Sequence, residues 1–354
     1  MERDTVASKI PVTLITGFLG AGKTTLISHL LRHPDMDRVA VVINELGEVG
    51  IDDDLVRMSS ENVSLLENGC LCCAVRTDLQ ETLRELFGDM RAGRIPDFDR
   101  VIVETTGMAD PGPVIQTLAN DSMLGARYRL DGVVTLVDTV NAPDQLEAHT
   151  EATQQVALAD RILLTKTDLA DAASVQFVRN LLREINPRTD IVECHNGMVH
   201  PQELKGLGLD SARAGPQTLH FLGELADGAP RADETDYLGS RLTGRHTRGV
   251  KSFVLRFDRA FSWSSFTSAM ELLVGLRGKD MLRVKGIVNV EGAPVVVQGV
   301  GHVFHPPVRL DRWPSADTHS RMVFITRNIE KAHVTTLFES VRLLSADASG
   351  VQSP

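Results

Sequence analysis

The sequence predicts an α/β protein: a parallel sheet with helices on both faces, followed by a smaller α+β domain. The first observation is a series of near-continuous Val, Ile and Leu runs that alternate with segments of helical period. Strands that are buried on both faces need such runs, whereas half-exposed strands alternate apolar and polar residues. The second observation is a region of Gly, Ala, Asp and Arg without sustained periodicity, after which strand-like and helical patterns resume.

The order of these patterns divides the chain into three parts. We expect a first domain at 1–211, a linker at 212–249 and a C-terminal α+β domain at 250–354. The apolar runs of the first part lie at 12–15, 39–43, 101–103, 133–137 and 162–164. In the last part, strands are expected at 251–257, 281–290, 294–298 and 322–326, with helices at 266–276 and about 330–344. Right-handed crossovers would place a ligand at the carboxyl ends of the parallel strands.

The composition of the chain limits the classes of ligand and partner that we expect. The chain has 354 residues and a formal net charge of -10, and no segment shows an obvious basic face, so nucleic acid and anionic membranes are not expected ligands. No apolar run approaches the roughly 20 residues that cross a bilayer. The polar start of the chain runs directly into the first strand, so a cleavable signal peptide is not expected. These features indicate a cytoplasmic protein whose partners are proteins or small ligands.

The segment GFLGAGKT at 17–24 fits the pattern G-x-x-x-x-G-K-[ST], with an apolar run before it and a helical pattern after it. Such a turn directs backbone N–H groups and a helix dipole at a phosphate group. Lys23 would reach the β and γ oxygens, and the Thr24 hydroxyl would bind Mg²⁺. The segment therefore predicts the P-loop NTPase fold. The nucleotide-binding residues expected here are Gly17, Gly20, Ala21, Gly22, Lys23, Thr24 and Thr25.

A second candidate segment, ETTG at 104–107, follows the run at 101–103. An acidic residue at that strand end can hold Mg²⁺ or orient the attacking water, and the Gly107 N–H can reach a γ-phosphate. The alternative is an ordinary polar strand terminus. Beside a P-loop, we assign Glu104 and Gly107, together with Lys23, to catalysis.

A third segment, TKTD at 165–168, follows the run at 162–164. Asp168 can accept hydrogen bonds from N1 and N2 of guanine, which adenine does not offer, and the Lys166 stem can lie along the base. Many GTPases have Asn where this chain has Thr165, so a contact that braces the loop is expected to be weakened or made differently. A backbone contact from 194–196 to the base would fit the next strand end. The alternative is a solvated charge pair.

Three of the four cysteines, Cys70, Cys72 and Cys73, lie in the segment NGCLCC at 68–73. We expect this segment to be an extended loop between a strand at 63–66 and a helix starting near residue 77. Cys70 and Cys72 would then point the same way, and Cys73 would turn in at the helix start. Thiolates bind Zn²⁺ and similar metals, and three of them leave one coordination position open. A buried cysteine cluster and a redox switch are the alternatives.

The motifs GFLGAGKTT, NELGE, ENGCLCC, ETTGMADP and LLTKTD, in this order and spacing, resemble those of the CobW-type metal-associated GTPases. These are related to the nickel-site maturation GTPases of ureases and hydrogenases. The resemblance covers nearly the entire chain, because the GKDMLRVKG stretch from Gly278 is similar to the C-terminal domain of that family.

The resemblance implies slow, metal-regulated GTP hydrolysis that delivers a transition metal, most often zinc or cobalt, to a client metalloprotein. It implies GTP, Mg²⁺ and Zn²⁺ as ligands, with Co²⁺ as an alternative metal, and a homodimer as a candidate assembly. Asn44, Glu45 and Glu48 match the acidic switch segment of the family, which makes Glu45 a candidate further metal ligand. Ile43 stands where some relatives have another acid, so the fourth ligand is not identified.

Two other functions remain open at the level of sequence. A P-loop kinase acting on a small molecule would prefer adenine and need an arginine-bearing lid, and no such lid is obvious. A metal or redox sensor with incidental GTP hydrolysis would cycle its thiols through a disulfide.

Overall fold

The computed structural model describes residues 6, 8–43, 56–60, 63–66, 71–74, 79–209, 214–215, 218–219, 222 and 249–350, with the backbone alone for 56–60, 63–66, 71–74 and 346–350. The chain forms two compact units. One contains Met1–Leu182 and Thr189–Asp210, and the other contains Arg183–Arg188 and Ser211–Pro354. Each unit has its own apolar core.

Among its described residues, the first unit is built on a nine-stranded sheet with the order β3-β4-β5-β2-β6-β1-β7-β8-β9. Every pair from β5 through β9 in this order is parallel, and β3 and β4 extend the β5 edge in antiparallel fashion. The predicted α/β class with a parallel sheet is therefore confirmed. The strands are β1 (Ile10–Gly17), β2 (Val39–Ile43), β3 (Val56–Ser60), β4 (Val63–Leu66), β5 (Leu71–Ala74), β6 (Arg100–Glu104), β7 (Tyr128–Asp138), β8 (Arg161–Thr165) and β9 (Asp190–Cys194).

Helices connect the parallel strands. Every residue of β2 and β8 is buried, which explains why these strands read as unbroken apolar runs rather than as alternating patterns. The first helix packs Leu26, Ile27 and Leu30 into a core that it shares with β1 and β2. The helices are α1 (Lys23–Leu30), α2 (Leu79–Arg91), α3 (Gly112–Asn120), α4 (Ser122–Arg127), α5 (Ala142–Ala148), α6 (Thr150–Leu158) and α7 (Ala172–Ile185).

The cysteine segment differs from the prediction. The expected loop at 68–73 is wrong for its last three residues, because Leu71–Ala74 forms β5. In the parallel register, Cys72 lies beside Val41 of β2 and Cys73 beside Val42, while β4 pairs with the other side of β5. Neighbouring strands on both sides supply backbone hydrogen-bond partners, which favours a strand over a loop. The backbone of Cys73 therefore lies within a strand and not at a helix start.

Within residues 249–350, the second unit combines a six-stranded sheet with two helices. The strands pair antiparallel in the order β10-β15-β11-β12-β13, with β14 also pairing to β12. Phenylalanine side chains dominate the core between sheet and helices, and the Phe253 and Phe324 rings stack with centroids 5.6 Å apart. The elements are β10 (Val250–Phe257), α8 (Trp263–Arg277), β11 (Met281–Val290), β12 (Ala293–Val300), β13 (Val303–Phe304), β14 (Val308–Arg309), β15 (Ser320–Arg327) and α9 (Lys331–Gly350).

This architecture agrees with the predicted α+β pattern of the C-terminal part. In the described part of the chain, none of the helices combines the length and apolar composition that a bilayer crossing needs.

Candidate functional site at the carboxyl edge of the sheet

The glycine-rich segment forms a tight turn between β1 and α1. Gly17 has φ +148°, and a Cβ added to it would lie 2.5 Å from the Leu136 carbonyl oxygen of β7. Gly22 adopts the left-handed conformation (φ 94°, ψ 19°) at the N-cap of α1. Both positions therefore need glycine, one for space and one for backbone conformation. The turn places the N-terminal N–H groups of α1 at the side of the sheet where the parallel strands have their carboxyl ends, called the carboxyl edge here. At this position the N–H groups favour binding of an anion.

Lys23 is the first residue of α1, and its side chain bends back over the turn. Its Nζ donates to the Gly17 carbonyl at 2.9 Å and lies 3.5 Å from the Phe18 carbonyl oxygen. An ammonium group and a helix N-terminus thus converge on the same turn, and both attract negative charge. The half-buried Thr24 follows directly, so its hydroxyl is available at this place for a hard cation such as Mg²⁺.

Glu104 ends β6, which lies between β2 and β1. Its neighbours in register are Ile15 of β1 and Ile43 of β2, and it is only 6% exposed. The next residue fastens this segment to β1, since the Thr105 N–H donates to Ile15 at 3.0 Å and the Thr105 hydroxyl donates to Thr16 at 2.8 Å. The acidic group therefore sits at a fixed point beside the P-loop strand.

Gly107 lies directly against the P-loop. A Cβ added to Gly107 would be 3.0 Å from the Leu19 Cα, so no larger residue fits without a shift. Gln155 of α6 holds this segment from the other side: its amide donates to the Gly107 carbonyl at 3.2 Å and to the Ala109 carbonyl at 3.0 Å. Gln155 was not among the residues predicted from the sequence. The available signal was a glutamine within the short segment ATQQVALA that precedes the run at 162–164.

Thr165 braces the P-loop from the end of β8. Its hydroxyl lies 2.9 Å from the Ala21 carbonyl oxygen and 3.2 Å from that of Val137, and the single hydroxyl proton can be donated to one of them at a time. Many GTPases have Asn at the position of Thr165, and we expected the contact that braces this loop to be made differently here. In this structure the Thr165 hydroxyl contacts the P-loop. The brace connects the third candidate segment to the first.

Lys166 is held by a carboxylate that the sequence reasoning missed. Its backbone is left-handed (φ 57°), and its Nζ donates to Asp138 Oδ2 at 2.8 Å. Asp138 ends β7 and also accepts from the Val140 N–H at 2.9 Å and from the Asn141 side-chain amide at 2.7 Å. Burial by itself would raise the pKa of Asp138, but the hydrogen bonds from Lys166 and Asn141 outweigh it and lower this pKa. The available signal was an acid directly after the run at 133–137.

Asp168 is exposed in the short turn Thr167–Leu169. The segment after β9 lies beside this turn, since the Thr167 hydroxyl is 3.3 Å from His195 Nδ1. The same segment touches the start of α1, because a Cβ added to Gly197 would lie 2.9 Å from the Thr25 carbonyl oxygen. The expected backbone contact from 194–196 to a base remains a prediction, but the segment lies between the two elements that it would have to join.

The candidate metal ligands are placed only in part. Asn44, Glu45, Glu48 and Cys70 lie outside the described residues, and β5 fixes the backbone of Cys72 and Cys73 alone. Within the described ranges, no group of three or more His, Cys, Asp or Glu side chains could hold a metal ion. The remaining cysteine, Cys194, is fully buried, and burial raises its thiol pKa. A protonated thiol is a poor metal ligand, which agrees with a packing role.

A P-loop, an adjacent acidic strand end and a Thr-Lys-Thr-Asp turn on one edge of a parallel sheet define a P-loop nucleotide-binding protein. Comparison with protein families assigns the chain more narrowly. Residues 11–193 match the CobW/HypB/UreG nucleotide-binding domain, and residues 250–342 match the cobalamin synthesis protein cobW C-terminal domain. The chain belongs to the CobW/HypB/UreG family, which confirms the resemblance seen in the motifs.

Individual relatives cover nearly the full length. The zinc chaperone YjiA of Escherichia coli strain K12 is 36% identical over 340 residues, which include 94% of this chain and 99% of the relative. The zinc chaperone CobW of Sinorhizobium sp is 32% identical over 83% of this chain and 86% of the relative. The crystal structure of zinc-bound YjiA GTPase from Escherichia coli superimposes with a TM-score of 0.74 at 33% identity, covering 94% of this chain and 99% of that chain.

Proposed function

We propose that this chain is a GTPase that binds a transition metal, zinc before cobalt, and uses the nucleotide cycle to deliver the metal to a client protein. GTP hydrolysis is the activity of the family to which the chain belongs. Relatives named zinc chaperones and a zinc-regulated GTPase metalloprotein activator of Schizosaccharomyces pombe, 29% identical over 94% of this chain, support zinc as the metal.

The nucleotide roles follow the geometry of the carboxyl edge. Lys23 and the N–H groups at the start of α1 would bind the β and γ phosphates, and Thr24 would bind Mg²⁺, with hydroxyl and carboxylate oxygens as suitable donors. Glu104 would complete the Mg²⁺ environment or orient water, and the Gly107 N–H would contact the γ-phosphate. Lys166 and Asp168 would read guanine. No adenine-specific feature is present among these groups, which disfavours the kinase alternative.

The metal would be carried by the thiolates of Cys70, Cys72 and Cys73, with Glu45 as a candidate fourth ligand. Thiolate donors suit zinc and cobalt, and a site with only three thiolates, whose fourth position is open or held by an exchangeable carboxylate, suits an ion that must later be released. A client that offers a complete set of ligands would then take the metal.

The observation that carries the coupling is the order of strands. The cysteine strand β5 is separated from the Glu104 strand β6 by β2 alone, and all three are parallel. Neighbouring strands lie about 4.8 Å apart, so the backbones of β5 and β6 are about 10 Å apart. In register, Cys73 lies level with Val42 of β2, one position before the level of Glu104. The strand between them, β2, ends at Ile43 and leads into the acidic switch segment. A change in nucleotide state thus has a short path to the metal ligands.

The domain assignment follows from the same proposal. We assign the GTPase to 1–211 and a client-docking role to 250–354, with 212–249 as the linker. The division of the chain into two compact units with separate cores supports this assignment.

Replacing Cys70, Cys72 and Cys73 by Ala should test the metal role. We expect the variant to lose its tight zinc and its zinc-dependent change in GTPase rate, while GTP hydrolysis without metal is kept, because the thiolates are not part of the P-loop. The measurement is GTPase rate across Zn²⁺, Co²⁺ and Ni²⁺, paired with metal analysis of the purified protein.

Cys194→Ala provides the control, because this thiol is buried in the core of the same unit. It should keep both zinc and the rate response. Unchanged zinc affinity and metal response in the triple variant would contradict the proposal. A disulfide that forms and breaks with the nucleotide cycle would instead favour the redox-sensor alternative.

A further inference from the structure

Asp138 is a fully buried carboxylate at the carboxyl end of β7, the strand next to the P-loop strand β1. Its Oδ1 accepts from the Val140 N–H at 2.9 Å and from the Asn141 N–H at 3.3 Å. Its Oδ2 accepts from the Asn141 side chain at 2.7 Å and from Lys166 Nζ at 2.8 Å. Four donors thus fix the position of this carboxylate before any ligand arrives.

Lys166 depends on this anchor. Its left-handed backbone (φ 57°, ψ 30°) is a conformation that residues other than glycine seldom adopt, so the surrounding structure has to hold it. Its ammonium forms an ion pair with Asp138, and 37% of the Lys166 side chain is exposed to solvent. Because the ammonium is held at this point, the aliphatic stem that leads to it also has a fixed course.

We propose that Asp138 is a positioning residue for guanine nucleotides: it clamps the Lys166 ammonium so that the lysine stem is preordered as a platform for the base. The inference rests on the proposed nucleotide site and adds a determinant to it. Because the lysine is already ordered, binding a nucleotide need not restrict its rotamers, which favours affinity. Asp138 acts through Lys166 and takes no part in bond breaking.

The clamp predicts a particular kinetic signature. Without the carboxylate, GDP and GTP should lose affinity to the same extent, since the base is common to both. The turnover number at saturating GTP should stay within about twofold of the original, because uniform binding affects KM rather than kcat. A hydrogen bond to a charged group is worth roughly a tenfold change in affinity or more.

The test is a double-mutant cycle with Asp138→Asn and Lys166→Met, read by calorimetric titration with GDP and Mg²⁺. We expect about a tenfold rise in the GDP Kd for Asp138→Asn and a comparable rise for Lys166→Met. The double variant should be no weaker than the weaker single variant, because the two residues act as one unit. A Kd for Asp138→Asn within twofold of the original, or losses that multiply in the double variant, would overturn the inference.

Asp131→Asn is the matched control. Asp131 lies on the same strand, is equally buried and forms ion pairs with Arg100 and Arg129. It is seven residues before Asp138 and therefore lies toward the amino end of β7, away from the nucleotide site. It should lower thermal stability and leave the GDP Kd unchanged. All variants are assayed at a temperature where circular dichroism shows complete folding.

If Asp138→Asn folds poorly, Lys166→Met still tests the inference, because the Lys166 side chain is partly exposed. A GDP Kd that is unchanged in Lys166→Met overturns the inference. Failure of the unmodified chain to bind GDP would overturn the proposed nucleotide site as well. Normal GDP binding with an unaffected Asp138→Asn variant overturns the clamp alone.

Discussion

The contact between Gly107 and Leu19 shows how the packing of single residues defines the site. A Cβ on Gly107 would lie 2.6 Å from the Leu19 Cδ2 atom and 3.0 Å from its Cα. The Leu19 side chain is half exposed and can move, whereas its Cα belongs to the P-loop backbone and cannot move without it. The segment after β6 is therefore packed against the P-loop with no room for one additional carbon.

Gly107→Ala should slow GTP hydrolysis by about 100-fold, because a displacement of about 1 Å at a catalytic group has an effect of this order. Single-turnover hydrolysis of GTP measures this rate. Gly125→Ala is the control: in α4, the added Cβ would be 3.7 Å from the nearest atom, an ordinary contact, and alanine favours a helix. Equal hydrolysis rates for Gly107→Ala and the original chain would contradict the assignment.

At this scale the sequence predicted the residues of contiguous motifs and missed their partners. Lys23 and Asp168 stand in patterns whose spacing carries the chemistry. Gln155 and Asp138 come from other elements, and only the fold brings them to Gly107 and Lys166. The partner of Thr165, a P-loop carbonyl, carries no side-chain signal at all.

Asp121 connects helix α2, which follows the cysteine strand β5, with the helices α3 and α4, which follow the Glu104 strand β6. It caps α4, accepting from the Met123 N–H at 2.8 Å and the Leu124 N–H at 2.9 Å. It also accepts from two side chains of α2, Gln80 and Arg84. Asp121 is also the C-cap residue of α3. Since α2 comes after β5 and α3 after the Glu104 strand, this residue connects the helices that follow both motifs.

Asp121→Ala should lower the unfolding midpoint by roughly 2–4 °C near neutral pH and increase hydrogen exchange in α2, because a cap and two inter-helix contacts are lost. Asp171→Ala is the control. Asp171 caps α7 by accepting from the Ser174 N–H at 2.7 Å, so its loss should also destabilise the fold but should leave exchange in α2 unchanged. Unchanged α2 exchange in Asp121→Ala would contradict this role.

The same contact has a pH dependence. The hydrogen bond from Leu124, followed by that from Gln80, lowers the pKa of Asp121 from 3.8 to about 2. A group with a lowered folded-state pKa stabilises the fold above its unfolded value of 3.8, and this contribution disappears as pH falls through about 2. The difference in midpoint between the original chain and Asp121→Ala should therefore shrink over this range.

Elements with long apolar or periodic patterns were predictable, as was the short apolar strand Val63–Leu66, but some other short elements were not. The strand Met281–Val290 has the predicted bounds, because its apolar residues form a long recognisable pattern. The strands Leu71–Ala74 and Val303–Phe304 are only four and two residues long, too short for a period to be read. Leu71–Ala74 is a strand because β2 and β4 flank it, which is tertiary information.

At the scale of the molecule, the sheet places chemistry that is distant in the sequence on neighbouring strands. The order β5-β2-β6-β1 places the cysteine strand, the strand leading to the acidic switch segment, the Glu104 strand and the P-loop strand side by side. The sequence indicated that ligands collect at the carboxyl ends of parallel strands, but the neighbour order of the strands depends on the fold. That order is what makes reciprocal coupling between metal and nucleotide a specific expectation.

The most direct test of this coupling is the zinc affinity of the full chain measured by competition with a chromophoric chelator, once with a non-hydrolysable GTP analogue and once with GDP, both with Mg²⁺. If the metal ligands sense the γ-phosphate, zinc should bind about 5- to 150-fold more tightly with the GTP analogue, and zinc should strengthen binding of that analogue over GDP by the same factor. Equal zinc affinity in the two nucleotide states would contradict the account.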